Sequence, residues 1–215
     1  FDDDGRPLFF IFSTNLPHPP FFNEPEFADL FAAEGLELPP SYYAEDFSTK
    51  PAFHREHAED ERHGAGSEAA AREELAQYYS MIAATDAHMG TLMDIFRQRG
   101  TWDQTLALFF ADHGDMMAAP HTRLKGTLPY EEIYRVPCLI KLPQGTEPVR
   151  RRVDDLLSSV QLAGTLVRGA GLEVAGHFHH GDFYEALFSP QAPAKEQVFF
   201  EHYAAYWGTH PFYGV

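Results

Sequence analysis

The apolar run Leu106 to Ala111 stops abruptly at Asp112-His113-Gly114-Asp115, and this junction constrains the fold more than any other segment. A short, continuous apolar run with adjacent phenylalanines reads as a buried strand. A carboxylate, an imidazole and a glycine follow it, so two metal-ligand types stand at a strand's carboxyl end, where open α/β sheets keep their active sites. Alternate strand residues point to opposite faces, so Asp112 and His113 reach one ion only if the strand has already ended. Gly114 permits that sharp ending.

The rest of the chain alternates strand and helix signals. Leu8-Phe9-Phe10-Ile11-Phe12, within Pro7 to Thr14, reads as a strand running into Pro17-His18-Pro19-Pro20-Phe21. Those prolines forbid helix and hold His18 in a rigid extended loop. Residues 22 to 66 read as a long irregular connection rich in Pro, Glu and His, a functional or mobile loop. A long helix is predicted from about Ser67 to Arg99, with Ala69-Ala70-Ala71 near its start and Gly100 as its stop. Its stripe of Leu75, Tyr78, Tyr79, Ile82, Met89, Met93 and Phe96 is expected to lie against a sheet, with Asp86 on the same stripe as a hydrogen-bonded core carboxylate. Strands follow at Thr105 to Ala111 and Val136 to Leu142, then a helix at about Asp154 to Arg168 and a last strand at 198 to 203. This order predicts an α/β fold: a mostly parallel sheet sandwiched by helices, with 8 to 14, 105 to 111 and 136 to 142 as neighbouring strands.

Composition narrows the partners. The formal charge of -16 comes from 32 acidic against 16 basic residues, so the surface repels a phosphate backbone and nucleic acid is not expected. The single cysteine, Cys138, excludes a disulfide framework and reads as a small core residue inside an apolar run. No run approaches the roughly 18 apolar residues of a membrane span. No secretory signal is visible either, which leaves cytoplasmic and periplasmic or secreted locations open, and the oligomeric state with them. A chain that begins at Phe1 and stops after an aromatic-rich stretch reads as a fragment. His177-Phe178-His179-His180 reads as an exposed turn with metal binding a minor alternative, and His54, His57 and His63 read the same way.

Two further groups have the right chemistry near strand ends. Lys125 is a mobile cation that can meet an anionic substrate group, and His18 can donate a hydrogen bond or a proton to a leaving group. The motifs in their order are Pro17-His18-Pro19-Pro20-Phe21, the helix Tyr78 to Gly90, and Asp112-His113-Gly114-Asp115-Met116. Lys125-Gly126-Thr127-Leu128-Pro129-Tyr130-Glu131-Glu132 and Arg135-Val136-Pro137 complete them. Together they make the chain resemble the sulfatase family of the alkaline-phosphatase-like superfamily, from residue 8 to about 170. By that resemblance Asp112 and His113 complete a divalent metal site, with Ca²⁺ first and Mg²⁺ or Mn²⁺ as alternatives. It also implies that Lys125 contacts the substrate sulfate and that His18 lines the same pocket near the leaving oxygen.

The resemblance implies a hydrolase for the sulfate ester of a small molecule or glycan, using a formylglycine nucleophile. The Cys/Ser-x-Pro-x-Arg motif that yields formylglycine is not encoded in this chain, and Cys138, followed by Leu139-Ile140-Lys141, does not supply it. The acidic pair expected to complete the metal site is absent too, and His121 is displaced by one position from the family histidine and is not assigned. Residues 1 to 215 are therefore expected to form a single partial catalytic domain, lacking its N-terminal nucleophile region and C-terminal part and inactive alone. A phosphonate monoester or phosphodiester hydrolase of the same superfamily is the alternative enzyme. A non-catalytic binding or scaffold fragment is the alternative from another class.

Overall fold

The computed structural model describes residues 5–125, 128–146, 152–174, 176, 178, 180–189, 196–203 and 211–215. In these residues the helices are α1 (Pro40–Ala44), α2 (Ala52–Glu59), α3 (Glu68–Gln98), α4 (Glu131–Tyr134) and α5 (Leu162–Gly169). The strands are β1 (Ala107–Phe110), β2 (Cys138–Lys141), β3 (Phe200–His202) and β4 (Phe212–Gly214), with short 3₁₀ turns between elements. The chain divides into two compact units, residues 1–38 with 67–92, and residues 39–66 with 93–215. No described helix is long and apolar enough to cross a membrane.

The first unit is organised by α3. Ser67 starts the helix: its Oγ accepts from the Ala70 amide at 3.3 Å and its carbonyl from the Ala71 amide at 2.9 Å. The buried face is Ala71, Leu75, Ala76, Ser80, Met81 and Ala84, a line of mostly small side chains that lets neighbours approach closely. The expected stripe is corrected by this: Leu75 belongs to the face, but Tyr79 and Ile82 are exposed, and so is Asp86. The large residues instead meet the segment before the helix at its rim. Tyr79 packs edge-on against Phe31 at 5.5 Å, Tyr78 against Phe21 at 6.5 Å, and Arg72 Nε donates to the Leu36 carbonyl at 3.0 Å.

Leu8 to Phe12 forms no strand, against expectation. Alternate members Phe9 and Ile11 are 76% and 71% exposed, while Leu8, Phe10 and Phe12 on the other side are about half covered. A run of this composition needs a ladder partner and a covering layer to become a strand, and the described residues supply no ladder partner and only part of the cover.

In the second unit β1 and β2 pair antiparallel, Ala107 opposite Lys141 through Phe110 opposite Cys138. β3 and β4 also pair antiparallel, Phe200 opposite Gly214. The ladders among the described residues are antiparallel, so 105–111 and 136–142 are neighbours as expected but run in opposite directions. The connection from β1 to β2 runs out through the Asp112 turn and α4 and returns alongside β1 instead of crossing over a face. Lys141 fixes the start of that ladder by donating from Nζ to the carbonyls of Trp102, Asp103 and Thr105 at 2.5, 3.1 and 3.0 Å. Leu108 and Ile140 pack onto a small core of Leu162, Phe183 and Ala186. Cys138 is exposed, because the outer end of a two-stranded ladder lies beyond that core.

The other departures have local causes. Residues 22 to 66, expected to be irregular, contain α1 and α2, and the prolines that look like breakers begin both: Pro40 lies at the first helical positions of α1 and Pro51 caps α2. The helix expected from Asp154 begins only after Ser158, whose side chain and that of Gln161 form a reciprocal capping box.

Phe9, Ile11 and Leu139 are each more than two-thirds exposed, so the isolated 215-residue chain is expected to bind the dye ANS strongly and to self-associate on concentration. A dye-silent, monodisperse chain in light scattering would contradict this reading of its surface.

Candidate functional site

The site is built where β1 runs out. The His113 amide donates to Asp112 Oδ1 at 3.0 Å, closing a tight local turn. His113 Nδ1 lies 2.8 Å from the Gly114 carbonyl; a carbonyl only accepts, so Nδ1 carries the proton and Nε2 presents its lone pair. That lone pair receives Lys125 Nζ at 3.1 Å, and Asp112 Oδ2 lies 3.6 Å from the same nitrogen. The Asp112 side chain is 85% exposed and that of His113 32%, so the carboxylate is open to a ligand while the imidazole lone pair is engaged by Lys125. The structure therefore brings Asp112, His113 and Lys125 together.

Gly114 is obligatory here. Its amide donates to the Ile133 carbonyl at 2.8 Å, and a Cβ at this position would stand 1.8 Å from the Glu132 carbonyl oxygen. The turn is thus pressed backbone to backbone against α4.

Lys125 is delivered by a compact loop. The Met116 amide donates to the Leu124 carbonyl at 2.9 Å and Ala118 to Thr122 at 2.8 Å, while Met116, Ala118, Ala119 and Thr122 are all buried. The loop is zipped to residues 63–65: Arg123 N donates to the His63 carbonyl at 2.7 Å and Ala65 N to the His121 carbonyl at 3.0 Å. Met117, Ala118, His121 and Leu124 adopt φ of 39°, 75°, 57° and 62°, a region that favours glycine. His121 itself packs against Tyr42 with the rings tilted by 42° and their centroids 4.6 Å apart.

Sequence reasoning missed a polar cluster beside this loop. The Tyr130 hydroxyl is hydrogen-bonded to Nδ1 of buried His54 at 2.8 Å and accepts from Lys50 Nζ at 3.4 Å, and Lys50 is paired with Glu45 at 2.5 Å. Burial pushes the Tyr130 phenol up, while the Lys50 ammonium is held above its ordinary value because Glu45 and Tyr130 outweigh the burial that opposes it. Tyr130 falls inside a quoted motif, but nothing in a single sequence ties it to residues 50 and 54.

The remaining histidines divide. His63 Nδ1 pairs with Asp60 at 2.7 Å, and its ring stacks on His57 at 4.3 Å. Burial, then the His63 charge, lowers His57 to about 4. His18 lies in the first unit, where Nδ1 donates to the Pro19 carbonyl at 2.5 Å and leaves Nε2 as the acceptor. The His180 carbonyl accepts from Gln161 at 3.3 Å, a structural role, whereas His177 and His179 lie outside the described residues, as do Gly126 and Thr127.

The Asp112 and His113 donors fit a divalent cation. Two donors 3.6 Å apart are both within reach of one ion at the ~2.0–2.6 Å such ions take, once the Lys125 ammonium, which donates to the same imidazole nitrogen, swings aside. Among the described residues no cluster of three or more ligand types gathers, so this pair supplies part of a coordination sphere.

The sulfatase family model matches residues 1–172. An ulvan-active sulfatase of Formosa agariphila is 26% identical over 97% of this chain and 37% of its own length. The phosphonate monoester hydrolase of Agrobacterium radiobacter superposes with a TM-score of 0.72 at 23% identity, over 86% of this chain and 39% of its own. A 2-O GAG sulfatase gives 0.66 at 23% identity, over 77% and 37%. The two structural likenesses establish an alkaline-phosphatase-like fold, and the chain spans less than two-fifths of each of these proteins.

Two outcomes are expected in the full-length protein. Ala118→Gly, at a φ of 75°, relieves backbone strain of about 1–2 kcal/mol but loses about 0.4–1 kcal/mol to unfolded-state entropy and about 0.8 kcal/mol with the buried methyl, so the urea midpoint stays near wild type, whereas Ala118→Val lowers it. His57, about 4 when folded against 6.5 unfolded, binds more protons in the unfolded state, so stability falls as pH drops from 6.5 to 4. His57→Gln should flatten the Tm profile in that window; an unchanged slope would remove His57 as its source.

Proposed function

The chain belongs to the sulfatase family, and from that premise we propose that the full-length protein is a sulfuric ester hydrolase in which Asp112, His113 and Lys125 form one wall of the ester-binding site. The observation that carries this reading is the convergence of a carboxylate, an imidazole lone pair and an ammonium within 3.6 Å at the end of β1.

In this reading Asp112 and His113 hold a divalent metal, Ca²⁺ in first place, which when bound polarises an ester oxygen as a Lewis acid. Lys125 brings its ammonium to the non-bridging oxygens of the transferred group, where charge develops in the transition state. His18 supplies the leaving-group proton. Its Nδ1–H is committed to the Pro19 carbonyl, so Nε2 is the atom that would carry that proton. The formylglycine nucleophile lies outside the 215 residues. The relatives' descriptions support a sulfated glycan as substrate: one is an ulvan-active sulfatase and another a 2-O GAG sulfatase.

A phosphonate monoester hydrolase is the second reading, favoured by the TM-score of 0.72 to such an enzyme. Screening the full-length protein against sulfate and phosphonate esters separates the two.

In the protein active in that screen, Asp112→Ala is expected to abolish turnover and lower metal content, and His113→Ala to do so less severely. Lys125→Ala should lower kcat/KM by about 10² or more for every ester, while His18→Ala should cost least for esters with good leaving groups. Wild-type metal content in both ligand mutants would remove the pair from the metal site. Equal losses on activated and unactivated esters would remove the acid role of His18.

A further inference from the structure

We propose that Tyr130, gripped by His54 and Lys50, is a positioning device that sets the orientation of the Asp112–His113 pair; it rests on the reading of that pair as metal ligands.

α4 has four residues, too few to hold its own place, so its position is set by what grips its ends. At its start Tyr130 makes no side-chain cap to the helix. The phenol reaches away instead, to His54 Nδ1 at 2.8 Å and Lys50 Nζ at 3.4 Å, with the Lys50 ammonium 4.7 Å over its ring and the His54 ring edge-on to it at 5.4 Å. At the other end the Ile133 carbonyl holds the Gly114 amide at 2.8 Å, while the Tyr130 carbonyl receives the Ile133 amide at 3.0 Å.

The path then enters the site. Gly114 is fixed through its amide, and its own carbonyl, 2.8 Å from His113 Nδ1, dictates the tautomer and turns Nε2 outward. The 1.8 Å that would separate a Gly114 Cβ from the Glu132 oxygen shows that this junction has no slack, so a displaced α4 displaces the turn. His54 is only 6% exposed, while Tyr130 and the Lys50–Glu45 pair beside it are half-buried, so the imidazole spends its burial on one directed hydrogen bond where an apolar side chain would fill the space without direction. The polar network specifies one position of α4.

The test uses the full-length protein. Tyr130→Phe removes a single oxygen and is expected to weaken divalent-ion binding about 10-fold in calorimetry, to speed hydrogen exchange at the Gly114 amide, and to mix the His113 tautomers seen by ¹⁵N NMR. His54→Leu should reproduce these changes, and His54→Asn, which keeps a polar atom near the Nδ1 position, should reverse most of them. A fall in Tm with ion affinity, Gly114 exchange and the His113 tautomer all at wild-type values would reduce the network to a tether and overturn the proposal. Should the wild type bind no divalent ion, the metal reading fails by itself, and the exchange and tautomer measurements still judge whether Tyr130 positions His113.

Discussion

The contact on which the site depends is between backbones: the Gly114 amide on the Ile133 carbonyl, at 2.8 Å, with no room for a side chain. A glycine between a strand end and a helix lets β1 stop, lets the next residues turn, and presses the turn onto α4. The Asp112 carboxylate and His113 imidazole are carried by that turn, the first bonded to the His113 amide and the second to the Gly114 carbonyl. Rigid elements hold reactive groups better than loops do. Here a loop gains comparable rigidity by being clamped to one turn of helix.

Electrostatics set a second condition. A chain with a formal charge of -16 repels anionic esters over most of its surface, so recognition has to be local. In the proposed reading Lys125 would provide that local field beside His113, where its Nζ lies 3.1 Å from Nε2.

Much of the site was legible in the sequence because it is contiguous. Asp112, His113 and Gly114 announce themselves at the end of an apolar run, and Lys125 follows within one loop. β1, β2, β3 and α3 lie inside their expected segments because local periodicity dictates them. Pairing direction was not legible, since no local pattern tells an antiparallel return from a crossover. Asp86 and Cys138 were misplaced for a related reason: burial depends on what covers a residue, and a stripe or an apolar run says nothing about that. The Tyr130 cluster was invisible because Lys50 and His54 meet it from far along the chain, across helices whose prolines look like breakers until they are seen starting them.

The loop between Met116 and Lys125 carries a consequence for how the molecule forms. Four of its residues sit in backbone conformations that an unfolded chain rarely visits, and its amides and carbonyls are paired to residues 63–65, distant in sequence. The position of Lys125 thus depends on a segment about 60 residues earlier in the chain, so the loop that carries the lysine closes only at the entropic cost of a long-range contact.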